Sequence, residues 1–206
     1  MENYSNITSF LINLDKNKER LDSSLKELKN NGFKNVERMP AVYGKELNKE
    51  QLEKYTTPYS RYIIDNIEQR CTYDTIYTLG ALGCSLSHLS CYKEIVMRNL
   101  EGAFIFEDDI VSVSGFKNKF KKYIREVERI NRENPDNQID VFSFGMIFST
   151  KNIKYKNSNF LSIYDITPGS HSYYITNKGA KKMICKFFPI EIHIDLFFNI
   201  LRKTGY

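Results

Sequence analysis

The stretch "AFIFEDDIVS", Ala103–Ser112, sets three adjacent carboxylates, Glu107, Asp108 and Asp109, straight after an apolar run of strand-forming residues. The run reads as a buried strand, and charge at the end of such a strand needs compensation. The C-terminal edge of a parallel α/β sheet is also where ligands bind. If the strand persists that far, alternation places Glu107 and Asp109 on one face and Asp108 on the other. Two carboxylates would then converge on one point. A hard divalent cation, Mn²⁺ or Mg²⁺, with diphosphate oxygens completing its shell, satisfies both conditions. The plainer alternative is a solvated turn whose carboxylates cap the next segment.

Outward from this strand, helices and strands alternate. "LGCSLSHLSCYKEIVMR", Leu82–Arg98, carries a helical stripe of Leu82, Leu86, Leu89, Ile95 and Val96 and delivers the chain to "AFIFE". Beyond it, Phe120, Tyr123, Ile124, Val127 and Ile130 share one face of a helix over Phe116–Asn131, stopped by "NPDN". Upstream, "SFLINL" (Ser9–Leu14) is a first strand. The helix after it carries Leu21, Leu25 and Leu28 and ends at "NNGF". "VERMPAVYG" (Val36–Gly44) reads as a second strand with a turn at Gly44, and the polar segment from Lys45 to Asp74 reads as a lid. Further strands are expected at Ile139–Gly145, Phe160–Ile166 and Ser172–Thr176, then a helix N-capped by Asn177. This order implies a three-layer α/β sandwich with a mainly parallel central sheet. Residues 189–206 read as a loop and a helix cut off early, so one domain fills 1–206 and the natural domain is expected to extend further.

Composition sets limits on the classes. A chain of 206 residues, 41% hydrophobic and 27% charged, suits one globular domain and argues against disorder. The net charge of +5 is spread along the chain; it tolerates phosphates without calling for nucleic acid. Seven Lys and Arg residues between Lys117 and Arg132 read as the solvated face of an amphipathic helix. Cys71, Cys84, Cys91 and Cys185 form no CxxC pair and read as buried free thiols of a reducing compartment. No stretch reads as a signal peptide or a membrane span, so the expected location is cytoplasmic.

Six blocks together resemble glycosyltransferase family 25, the group of lipooligosaccharide and procollagen galactosyltransferases. They are "INLDKNKER" (Ile12–Arg20), "AVYGKEL" (Ala41–Leu47), "GALGCSLSHLSCYKEI" (Gly80–Ile95), "FIFEDD" (Phe104–Asp109), "YYITNKGAKKM" (Tyr173–Met183) and "PIEIHID" (Pro189–Asp195). The resemblance implies a GT-A fold in which the acidic motif holds a metal, Mn²⁺ or Mg²⁺, bridging the diphosphate of a UDP-sugar. Glu107 stands where the usual D-x-D has its first Asp, leaving Asp109 as the surer metal contact and Asp108 within reach of ribose or a metal-bound water.

The resemblance also places uridine recognition near Asn13, Asp15 and Arg20. A guanidinium suits pyrimidine stacking and phosphate pairing, although Arg20 also reads as a surface helix charge. Ala41 and Gly44 permit close backbone approach to a base or ribose, or Gly44 simply serves its turn. His88 is either a donor-site residue or a satisfied core histidine, and His171 and His193 are further imidazoles that could meet a metal. Asp195, with Glu191 behind it, is the expected general base for the acceptor hydroxyl; the alternative is a carboxylate favoured by a helix N-terminus.

The function implied is transfer of galactose or glucose, with inversion, from UDP to a hydroxyl on a glycan or on hydroxylysine of a collagen-like protein. A second class is open at this stage: a non-catalytic subunit that keeps the fold and binds nucleotide-sugar without turnover. The sequence leaves the oligomeric state open.

Overall fold

A computed structural model describes residues 4–66, 76, 78–145, 152–154, 158, 162–164 and 169–203. Five strands form the central sheet: β1 (Ser9–Asn13), β2 (Val36–Pro40), β3 (Gly102–Glu107), β4 (Val141–Ser143) and, after the outlying pair β5 (Asn152–Lys154) and β6 (Ser162–Tyr164), β7 (Ser172–Thr176). Their order is β2-β1-β3-β7-β4. β1 runs parallel to both β2 and β3, whereas β7 is antiparallel to its neighbours β3 and β4. Four strands thus share one direction and β7 opposes them, which is the mainly parallel sheet expected.

The strands are apolar on both faces because each face is roofed by helices. Leu11, Phe104, Phe106, Phe142 and Tyr174 pack with Leu28 of α1 (Lys18–Asn30) and with Phe120, Ile124 and Val127 of α5 (Phe116–Glu133). The alternate residues Phe10, Ile12, Ala103, Ile105, Tyr173 and Ile175 pack with α4 (Leu79–Met97), α6 (Asn177–Lys186) and α7 (Ile194–Lys203). The basic helix α5 buries Phe120, Ile124, Val127 and Ile130, so its charges are the solvated face of a core helix.

Several boundaries differ from the sequence reading. β2 ends early, at Pro40, while the turn expected at Gly44 is present as a 3-10 turn over Gly44–Glu46. The proposed lid contains two helices, α2 (Lys49–Tyr55) and α3 (Pro58–Asp65); its remainder lies mostly outside the described residues. The strand expected over Phe160–Ile166 is β6, paired with β5 apart from the central sheet. Thr176, not Asn177, caps α6: its Oγ1 accepts from Gly179 N–H at 3.0 Å. Asn177 instead donates from Nδ2 to the carbonyls of Ile95 and Leu100, tying α6 to the lead-in of β3. Cys91 is buried and Cys84 half-buried, but Cys185 is exposed, against the expectation of a buried thiol; Cys71 lies outside the described residues. No helix among the described residues is long and apolar enough to cross a membrane.

Candidate functional site

The carboxyl ends of β1 and β3 lie side by side, with Ile12 in register with Glu107. This brings the start of α1 against the acidic turn. β3 stops at Glu107, so alternation holds for Glu107 and Asp108 and lapses at Asp109. The two carboxylates expected to share a face therefore separate. Glu107 follows Ile105 towards α4, Asp108 follows Phe106 towards α1, and the turn carries Asp109 to the α1 side as well.

On the α1 side Asp108 is held closely. Asn13 Nδ2 donates to its Oδ2 at 2.6 Å, and Ser24 Oγ donates to its carbonyl at 2.9 Å. Arg20 spans both aspartates, with Nη1 3.2 Å from Asp108 Oδ1 and Nη2 3.0 Å from Asp109 Oδ2. Asp109 is 53% exposed where Asp108 is 11% exposed, which leaves Asp109 open to a ligand. Asp15, also exposed, pairs with Arg38, whose Nε donates to Asn13 Oδ1 at 3.1 Å. Asn13, Asp15, Arg20, Asp108 and Asp109 are thus one connected polar group. Arg38 belongs to it and escaped the sequence reading, because an Arg within a short strand carries no motif.

The loop after β2 approaches the same edge. Ala41 N–H donates to Asn13 carbonyl at 3.0 Å, and Lys16 Nζ lies 3.8 Å from the centroid of the Tyr43 ring, a cation–π contact. Gly44 is buried against α4, where a Cβ would stand 1.7 Å from Leu79 carbonyl; a Cβ on Gly83 would stand 2.5 Å from Val42 carbonyl. Backbone meets backbone here, so neither position has room for a side chain. Ser87 seals the contact, its Oγ accepting from Val42 N–H at 2.8 Å and donating to Gly83 carbonyl at 2.7 Å.

On the α4 side Glu107 Oε1 accepts from Ser170 Oγ at 2.9 Å and faces His88 Nε2 at 3.4 Å. His88 is wholly buried and shares a 2.7 Å hydrogen bond from Nδ1 with the Tyr173 hydroxyl. Burial alone would raise the Glu107 pKa, but the hydrogen bonds and charge from His88, with Ser170 and the His171 charge, bring it below the ordinary carboxylate value. The His171 carbonyl accepts from Glu107 N–H at 3.0 Å.

Asp195 opens α7 and clasps the chain ahead of β7: Oδ2 accepts from Gly169 N–H at 2.8 Å and Oδ1 from Leu196 N–H at 2.8 Å. Its charge, like those of Glu107 and Asp109, acts on the Cys84 thiol, so it belongs to the same neighbourhood. Glu191 is exposed, and its carbonyl accepts from Ile76 N–H. His193 begins the last turn before α7, its carbonyl accepting from Phe197 N–H at 3.0 Å.

Residues 6–198 match the model of glycosyltransferase family 25 (LPS biosynthesis protein). Procollagen galactosyltransferase 2 of Mus musculus is 27% identical over 205 residues, covering 92% of this chain and 30% of that protein. A glycosyltransferase 25 family member of Drosophila melanogaster is 27% identical over 203 residues, with 92% and 30% covered. Procollagen galactosyltransferase 1 of Danio rerio is 24% identical over 208 residues, with 92% and 31% covered. The chain spans about a third of the length of these relatives, at 30 to 31%.

Proposed function

Because the chain belongs to glycosyltransferase family 25, we propose that it transfers galactose or glucose from a UDP-sugar to a hydroxyl of a glycan or of hydroxylysine in a collagen-like protein. The observation that carries this reading is the meeting of Arg20 and Asn13 with Asp108 and Asp109 at the carboxyl edge of β1 and β3. That edge offers a guanidinium for phosphate and amide groups for a base or ribose, beside carboxylates for a cation.

The donor set suits a hard divalent cation, Mn²⁺ or Mg²⁺. Asp109 is half-exposed, its pair with Arg20 is of the weak exposed kind, and Glu107 is kept ionised. Asp109 is the proposed ligand on this side; Glu107, expected to be its partner, is turned to the α4 side. A cation held there supplies charge that favours departure of UDP.

The chain's own groups do the rest. Arg20 turns from the aspartates to the diphosphate, Asp108 stays anchored on Asn13, and the Ala41–Gly44 loop closes the base side. Asp195 is the proposed base that takes the acceptor proton as the hydroxyl attacks the anomeric carbon from the face opposite UDP. Thermal melting with each UDP-hexose in Mn²⁺, followed by turnover with the donor that stabilises, tests the proposal. Stabilisation by UDP-galactose or UDP-glucose with release of UDP is the expected result. No shift with either donor overturns it.

A further inference from the structure

The α4 side of the strand end holds a second group of donors. Cys84 and His88 are four residues apart on α4 and share one helix face, turned to the end of β3. The Cys84 sulfur, a His88 ring nitrogen and a Glu107 oxygen all lie within 4.8 Å of one another. We propose that Cys84, His88 and Glu107 form a three-ligand site for a borderline divalent cation of the zinc class.

Four features support this site. Thiolate, imidazole and carboxylate with a fourth position open is the donor set of zinc sites that also bind water or substrate, and a thiolate is a poor ligand for Mg²⁺ or Mn²⁺. The outer layer is built: Tyr173 hydroxyl meets His88 Nδ1 at 2.7 Å and Tyr92 hydroxyl at 2.7 Å, which fixes the ring so that Nε2 faces Glu107. When Nδ1 donates to the Tyr173 hydroxyl, Nε2 is left to offer its lone pair to an ion, the orientation a ligating histidine takes. Ser170 Oγ donates to Glu107 Oε1 at 2.9 Å and also reaches the Cys84 thiol.

Charge balance is the fourth. On binding, the S–H bond breaks, its proton leaves to solvent and a sulfur–metal bond forms. The two positive charges are then met by one thiolate and one carboxylate, giving a neutral group at a largely buried position. This site takes Glu107 and not Asp109, and its formation needs neither nucleotide nor acceptor.

The test is titration of chelator-stripped protein with Co²⁺ as the optical probe, then competition with Zn²⁺. One equivalent of Co²⁺ should bind with a thiolate-to-cobalt charge-transfer band in the near ultraviolet, and Zn²⁺ should abolish the band. Cys84→Ser should remove the band, Asp109→Ala should leave it, and Tyr173→Phe should weaken affinity by about 10 to 100-fold. A folded wild-type protein that gives no such band overturns the site, as does a band that survives Cys84→Ser. If Cys84→Ser fails to fold, the C71S/C91S/C185S variant decides between thiols: a band lost there assigns the sulfur elsewhere and overturns the site. Failure of the sugar-transfer reading appears separately, as an intact cobalt band in a protein that binds no UDP-sugar.

Discussion

The Arg20 guanidinium bridges two carboxylates, 3.2 Å from Asp108 and 3.0 Å from Asp109, and so joins the residue suited to phosphate to the residues suited to a cation. The Arg20–Asp109 pair is exposed, and such pairs are worth about 0–1 kcal/mol, so a diphosphate and a divalent ion can exchange into it at small cost.

Asp109→Ala is expected to remove nearly all UDP-sugar turnover and to weaken UDP binding in Mn²⁺, with the melting curve little changed because Asp109 is half-exposed. Turnover assays with and without EDTA check this. Wild-type activity in excess EDTA, or in the variant, would sink the cation's part in the reaction.

Arg20→Ala should weaken UDP binding by about 1–3 kcal/mol if the guanidinium makes a charged hydrogen bond to the nucleotide. Calorimetric titration reads it directly. Equal affinity would return Arg20 to the role seen in the free protein, a counter-charge for Asp108 and Asp109.

Asp195→Asn separates two roles. If Asp195 is the base, transfer should fall about 10² to 10⁴-fold while UDP-sugar affinity holds. Both its oxygens accept backbone N–H groups, from Gly169 and Leu196, so an amide also loosens the clasp ahead of β7. Loss of donor binding together with transfer would mark the clasp as its whole contribution.

Gly83→Ala should destabilise the fold by about 1–3 kcal/mol, as overpacking of a tight contact does. The new methyl would stand 2.5 Å from Val42 carbonyl and 2.7 Å from Gly44 nitrogen, both backbone atoms with no rotamer to yield. Urea unfolding checks it, and an unchanged midpoint would contradict the geometry.

Acid should selectively erase the contribution of Glu107. Its folded pKa lies below the ordinary value of 4.5, so it stabilises the fold above that pH and loses the effect as pH falls through the folded pKa. In metal-free buffer, wild type should therefore exceed Glu107→Gln in stability at neutral pH, and the gap should close on acidification. A gap that widens towards low pH would refute the sign.

The strand ending at Glu107, the helix face of Phe120, Ile124, Val127 and Ile130, and the layer order were legible because each rests on a local period and a stop signal. What lay beyond reading was set by partners distant in sequence. The turn that carries Asp109 away from Glu107 is held by Ser24, whose Oγ donates to the Asp108 carbonyl, and the cap of α6 passes to Thr176 because Asn177 is engaged by Ile95 and Leu100. His88 was ambiguous for a similar reason: α4 is buried almost all round, from Leu82 through Leu89, so no stripe singles out one side as functional. The direction of β7 was equally silent, since an antiparallel strand in a parallel sheet shows the same apolar run as its neighbours.

The contact of Gly44 with Gly83 has a consequence for descent. With only backbone at the interface, a larger residue at either position cannot be accommodated by trimming a neighbouring side chain; the loop and the helix would have to part. Parting them would move Tyr43 and Ala41 on one side and Ser87 and His88 on the other. The two glycines are therefore a single unit, kept together or abandoned together with the spacing between the two halves of the site.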